Sequence, residues 1–204
     1  MHSLTDLLAD LFFTLSVIFK NLNLTSIYLI DSFPAAICKN IQICRAKLVK
    51  GEEFKGYNAS KREYFYGFKA VRRFGSIITT GEGIPVEFLV TSGSVPDNTT
   101  FQVMDINLPK NGDLYGDAAY INQQQKDLLL LFNQIRLKTA TKKNSIVKNT
   151  WAEELENRYY RKTIENTFAD ITAKFPRKIH AVTAKGFLSK ILCFIIMYIL
   201  DRQF

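Results

Sequence analysis

The order of elements along the chain predicts an α/β domain built on a mixed sheet. Three observations predict it. Ile27-Tyr28-Leu29-Ile30 is a short apolar run bounded by Ser26 and by Ser32-Phe33-Pro34. It is too short for a helix and reads as a buried strand. Tyr64 to Thr79 and Ile84 to Thr91 are rich in aromatic and β-branched residues around Thr80-Gly81-Glu82-Gly83, the pattern of an antiparallel hairpin. Helical periodicity covers the segments before, between and after the strands, so helices flank the sheet.

Taken in order, residues 4 to about 20 place Leu4, Leu7, Leu8, Leu11, Leu15 and Ile18 at spacings of three and four, an amphipathic helix. The first strand follows and ends at Asp31, with Pro34 stopping it. Residues 35 to 62 carry Arg45, Lys47, Lys50, Lys55, Lys61 and Arg62 with little periodicity and read as a long basic loop. After the hairpin, Pro96-Asp97-Asn98 starts a short helix over Thr99 to Ile106. Asn111-Gly112 is a turn, Asp113 to Tyr115 a strand, Ile121 to Asn133 a helix, and Ile135 to Thr139 a further strand. Trp151 to Lys174 and Thr183 to Leu200 are two long helices, the first closed by Pro176.

The chain has 204 residues, enough for one good core. Its net charge of +8 and pI of about 9.3 favour a polyanionic partner, nucleic acid before acidic membrane. Two histidines, His2 and His180, argue against a histidine-rich metal centre. The cysteines Cys38, Cys44 and Cys193 form no C-x-x-C pair and read as free thiols of a reducing, cytoplasmic compartment. Asp6 and Asp10 precede the apolar run Leu11 to Phe19 where an export signal needs positive charge. The run Ile191 to Leu200 is too short to span a bilayer.

Carboxylates follow the strands. Asp31 ends the first, and ligands gather at the carboxyl ends of strands in open sheets, although Asp-Ser before Pro is also ordinary turn chemistry. Asp117 follows the strand at 113–115, and Glu165 lies in the helix after the last strand. Glu153, Glu154 and Glu156 are nearby alternatives to Glu165. Three carboxylates without histidine make an oxygen-only site suited to Mg or Mn. Two such ions can clamp the attacking and leaving oxygens of a phosphodiester. Arg161, four residues before Glu165, shares its helix face; it either holds Glu165 or meets a phosphate.

The pieces IDSFP (30–34), KREYFYGFK (61–69), YGDAAY (115–120), YRKTIEN (160–166) and IHAVTAKGF (179–187) occur in that order. Together they resemble the catalytic domain of a bacterial insertion-sequence transposase of the DDE type, closest to insertion-sequence family 982. The resemblance runs from about Leu4 to Leu200. It implies an RNase H-like mixed five-stranded sheet flanked by helices, with Asp31, Asp117 and Glu165 as catalytic metal ligands for two Mg (or Mn) ions. It also implies transposon ends and target DNA as partners, leaves room for a homodimer, and needs no membrane.

On this basis residues 1–26 form an N-terminal helix left from a linker region, and residues 27–204 form the catalytic domain. Lys142, Lys143, Arg158, Arg161 and Lys162 are the candidate DNA contacts. Three departures stand out. The DNA-recognition region that precedes Leu4 in the group is not in this sequence. KREYFYGFK continues as Ala70-Val71-Arg72-Arg73, where the group keeps an apolar strand with a histidine. Many DDE transposases place Tyr and Lys seven residues either side of the glutamate, where this sequence has Arg158 and Thr172. Two other readings therefore stand beside an active transposase: a truncated remnant that only binds DNA non-specifically, and a basic membrane-surface protein.

Overall fold

Strand β1 (Ile27–Phe33) is the centre of the molecule. The computed structural model describes residues 3–33, 38–39, 55–58, 63–66, 74–89, 101, 104–117, 120, 123–141, 148–174, 179 and 181–203. Helix α1 (Leu4–Leu22) precedes β1. Short strands β2 (Cys38–Lys39), β3 (Lys55–Asn58) and β4 (Glu63–Tyr66) follow, then the hairpin of β5 (Phe74–Thr80) and β6 (Pro85–Phe88). Next come β7 (Asp113–Gly116), α2 (Gln123–Leu128) with a wider π turn at Leu129–Asn133, and β8 (Arg136–Thr139). Helices α3 (Trp151–Lys174) and α4 (Ala184–Gln203) complete the described chain.

The main sheet has five strands in the order β6-β5-β1-β7-β8. The β5–β6 hairpin runs antiparallel on one side of β1, and β7 and β8 run parallel to it on the other. This mixed sheet, flanked by helices, is an RNase H-like fold. The hairpin appears as expected, but from Phe74 rather than Tyr64. Residues 63–66 belong instead to a separate antiparallel sheet, β2-β4-β3. Two of its strands lie in the segment read as a basic loop. Strands of two to four residues are too short to leave a periodic trace. Residues 104–106 are not helical; of the helix expected over 99–106, only Phe101 is otherwise described, and it is helical.

The sheet is covered on both faces, and alternation along β1 divides the core. Leu29 joins Ile77 and Tyr115 against Phe12 of α1, Ile164, Phe168 and Ile171 of α3, and the buried stripe of α4. Tyr28 and Ile30 join Ile78, Leu114 and Leu137 under Phe101, Ile106, Tyr120 and Leu129 on the other face. Burial on both faces explains why β1 is a continuous apolar run rather than an alternating one.

Helix α1 opens with a capping box: Asp6 N–H donates to Ser3 Oγ and Ser3 N–H donates to Asp6 Oδ2 at 2.8 Å. Its buried face is turned from the expected one. Phe12 and Ser16 are buried with Leu8, Leu15 and Phe19 beside them, while Leu4, Leu7, Leu11 and Ile18 are exposed. The helix is apolar around much of its circumference, so spacing alone does not choose the face. Lys20 Nζ fixes the choice: it pairs with Glu87 Oε1 of β6 at 2.6 Å, both side chains only 10% exposed, and donates to the Asn107 carbonyl at 2.7 Å. Among the described residues no helix is long and apolar enough to cross a membrane.

The β5–β6 turn is clasped by the two long helices. Gly83 has φ +87°, and a Cβ there would lie 2.5 Å from Thr167 Oγ1 of α3. From α4, Arg202 donates to the Glu82 carbonyl at 3.1 Å. Gly83→Ala therefore carries both a backbone penalty and an overlap. We expect it to destabilise the domain by about 2–4 kcal/mol in chemical denaturation. Adding Thr167→Ala should recover the overlap part alone, giving a coupling of about 1 kcal/mol or more in a double-mutant cycle. Additive losses would show that Thr167 does not confine the turn.

Candidate active site

The register between β1 and β7 builds the site. Ile30 pairs with Gly116 across two parallel strands, so the next residues, Asp31 and Asp117, stand side by side at the carboxyl ends. A register irregularity between Asp31 and Phe33, where β1 meets β5, interrupts the regular pairing just at this point. Gly116 has no room for a side chain: a Cβ would lie 2.9 Å from Ile30 Cγ2 and 3.2 Å from the Tyr120 ring. The glycine thus lets β7 approach β1 closely enough to set the two aspartates together.

Helix α3 forms the third wall. Asn157, Tyr160, Arg161 and Ile164 line the same small cleft as Asp31 and Asp117. Their spacing of three and four places them on one face of the helix. Arg161 reaches furthest: its Nε donates to Glu165 Oε1 at 3.1 Å and its Nη1 lies 3.5 Å from Asp117 Oδ1. The hydrogen bond to Glu165, then the charge of Asp117, raises the guanidinium pKa above its ordinary value, and the charge of Asp31 adds to this. Arg161, Asp117 and Glu165 are 57%, 40% and 59% exposed. Such pairs contribute only about 0–1 kcal/mol to stability, so the fold does not need this cluster.

The structure thus brings Asp31, Asp117 and Arg161 together and holds Glu165 at the rim through Arg161. Among the described residues, no three Asp, Glu, His or Cys side chains converge closely enough to hold a metal ion as they stand. The other glutamates of α3 are engaged elsewhere. Glu153 accepts from the Thr150 N–H at 2.7 Å, a bond that holds its carboxyl below the usual range. Glu154 accepts from Thr141 Oγ1 at 2.9 Å. Glu156 accepts from Tyr115 Oη at 3.0 Å and pairs with Lys138 at 3.4 Å. Arg158 and Lys162 are exposed on α3, while Lys142 and Lys143 lie outside the described residues.

Sequence reasoning missed Tyr115, Lys138, Asn157 and Tyr160. Tyr115 is buried, tilted against Tyr160 at 4.3 Å, and accepts from Lys138 Nζ at 2.9 Å. Lys138 also pairs with Asp113 Oδ2 at 3.0 Å. Burial would lower the Lys138 pKa, but its hydrogen bonds to Tyr115 and Asp113 outweigh this and raise it. The helix-face spacing from Asn157 to Ile164 was the one available signal for the α3 residues.

An RNase H-like sheet with two aspartates at the ends of neighbouring parallel strands, under a helix carrying arginine and glutamate, defines a class of domain with a carboxylate site at the sheet edge. The chain belongs to the family of transposase DDE domains, whose family model matches residues 21–181, most of its length. No curated protein and no solved structure matches it. Membership implies DNA as the partner, and domains of this family generally use divalent metal ions. Asp31, Asp117 and Glu165 offer only hard oxygens, with a guanidinium balancing their charge, a chemistry that fits a hard divalent ion.

The Tyr115 network gives a pH expectation. Burial, helped by the hydrogen bond to Glu156 and opposed by the one from Lys138, pushes the Tyr115 phenol up to about 12. Folding favours the neutral phenol, so this contribution is complete below the ordinary tyrosine pKa of about 10. It is lost as pH rises through about 12. Subtracting the ultraviolet titration of Tyr115→Phe from that of the wild type should leave one phenol ionising near 12. A difference curve centred at the ordinary value would remove Tyr115 from the network.

Proposed function

We propose that this is the catalytic domain of a bacterial insertion-sequence transposase of the family 982 type. It would cut DNA and transfer strands with Asp31, Asp117 and Glu165 as its catalytic carboxylates. The observation that carries this reading is the pairing of Ile30 with Gly116, which sets Asp31 and Asp117 side by side at the sheet's carboxyl edge. Arg161 links Glu165, at the rim, to Asp117, and the alternative glutamates are bound elsewhere.

Asp31, Asp117 and Glu165 would together hold the divalent ions. When bound, such ions supply Lewis acidity to the phosphate and a stronger nucleophile at neutral pH. The residues of the chain prepare the rest. Asp31 and Asp117 are fixed by strands whose backbones are paired on both sides, so little reorganisation is needed. Arg161 neutralises Asp117 and Glu165; with their charge taken up elsewhere, its planar guanidinium is suited to a phosphate. Water attacks phosphorus as the bond to the 3′ oxygen breaks, leaving a 3′-hydroxyl and a 5′-phosphate. That 3′-hydroxyl then attacks a phosphodiester of the target, joining to its phosphorus as the target's own bond to the 3′ oxygen breaks and a target 3′-hydroxyl leaves. Arg158 and Lys162 extend the positive surface beside the cleft.

Nicking of supercoiled plasmid with Mg tests the assignment. Asp31→Asn, Asp117→Asn and Glu165→Gln should each lower the rate at least about a hundredfold, consistent with several kcal/mol of charge stabilisation, with the fold unchanged by circular dichroism. Full activity in Asp117→Asn would refute the site. Loss in Glu156→Gln with retention in Glu165→Gln would move the third carboxylate to Glu156.

Binding to random duplex DNA should be strongly salt-dependent, weakening roughly tenfold or more between about 50 and 200 mM salt. If Arg158 and Lys162 each meet a phosphate, replacing either with alanine should reduce the log–log salt slope by about 0.9. An unchanged slope would place the DNA on another face.

A further inference from the structure

Asn157, which lines the cleft between β1, β7 and α3, carries a polar atom with no hydrogen-bond partner among the described residues. Asn157 is 8% exposed, and its Oδ1 accepts no hydrogen bond from the described residues. Its Nδ2 reaches the carbonyl of Thr139, the last residue of β8, at 3.5 Å, and Asn149 Nδ2 meets the same carbonyl at 2.9 Å. Turning the Asn157 amide over would set its oxygen against that carbonyl, so the nitrogen belongs there and the oxygen is left over. A buried acceptor without a donor is destabilising, and one long hydrogen bond does not offset that. An aliphatic side chain would fill the position without the penalty, so packing alone does not account for an amide here.

The surroundings restrict what could satisfy this oxygen. Asp31 and Asp117 in the same cleft are acceptors too. Arg161 directs its guanidinium to Glu165 and Asp117, and the Tyr115 hydroxyl donates to Glu156. Three acceptors facing one space call for an occupant that is positive or donates on every side. The space measures about 30 Å³. That admits a water or a small ion and is far below the roughly 300 Å³ or more of a pocket for an organic ligand, so a nucleobase is excluded.

We propose that Asn157 Oδ1 holds a water of a divalent cation bound at Asp31 and Asp117, the neutral oxygen of that site. The inference rests on the reading of those aspartates as metal-binding. Asn157 is then a positioning residue: it accepts from the ion's hydration shell and replaces no carboxylate. Outer-shell partners of this kind typically govern metal affinity by about 10–100-fold.

Calorimetric titration with Mg alone, together with the Mg-induced shift in melting temperature, tests it on the full chain. Asn157→Leu and Asn157→Ala should weaken Mg about tenfold, and the leucine variant should melt no lower than the wild type without Mg. Asn157→Asp, which keeps an oxygen acceptor, should bind Mg at least as tightly as the wild type. Asp31→Asn should abolish binding. Wild-type Mg affinity in both Asn157→Leu and Asn157→Ala, with binding lost in Asp31→Asn, would overturn the role of Asn157 and leave the metal site standing. Wild-type affinity in Asp31→Asn would overturn the metal site itself, and this inference with it. Should Asn157→Leu fail to fold, the alanine and aspartate variants decide alone.

Discussion

The parallel pairing of β1 with β7 is the constraint from which the rest of the structure follows. β1 is central in the sheet and is buried on both faces, with Tyr28, Leu29 and Ile30 each at most 1% exposed. A strand so enclosed cannot slip in register, because a shift of one residue would exchange the side chains of its two cores. The pairing of Ile30 with Gly116 is therefore fixed by hydrophobic burial, and the positions of Asp31 and Asp117 follow from it. Apolar packing, the larger energy, sets the geometry of charges that add little to stability themselves.

Helix α3 connects that core to the cleft. Ile164, Thr167, Phe168 and Ile171 are buried, and Thr167 packs against the β5–β6 turn at Gly83. These contacts fix the rotation of the helix. Arg161 is thereby aimed at the aspartates and Glu165 at the rim. The polar N-terminal half of the helix, from Glu153 to Glu156, is tied to Thr150, Thr141, Tyr115 and Lys138, so the helix is anchored at both ends of the site.

The two charged clusters at this edge of the sheet differ in kind. Lys138 bridges Tyr115, Asp113 and Glu156 beside a buried phenol, where hydrogen bonds to a charged group contribute about 1.5–3 kcal/mol. Arg161, Asp117 and Glu165 are substantially exposed, and screening leaves their pairing weak. A weak, open arrangement of like charges around one guanidinium can exchange its counter-charge readily.

Much of this was legible in the sequence because it depends on local rules. Pro34 and the apolar run at 27–30 marked β1, Asn111-Gly112 marked the turn before β7, and α3 was bounded at Trp151 and Lys174 as found. The succession of strands and helices sufficed for the α/β class, five short motifs in order carried the resemblance to the family, and the carboxylates following the strands placed Asp31 and Asp117 at strand ends. Other features needed three dimensions. The short strands β2 and β3 hold too few residues to show a periodic pattern, and the buried face of α1 was undetermined until Lys20 met Glu87 across 67 residues. The roles of Asn157, Tyr115 and the competing glutamates depend on which groups burial sets against one another. Local sequence determines which residues can form a strand or a helix; only tertiary packing decides which polar atoms keep their partners and which face the cleft without one.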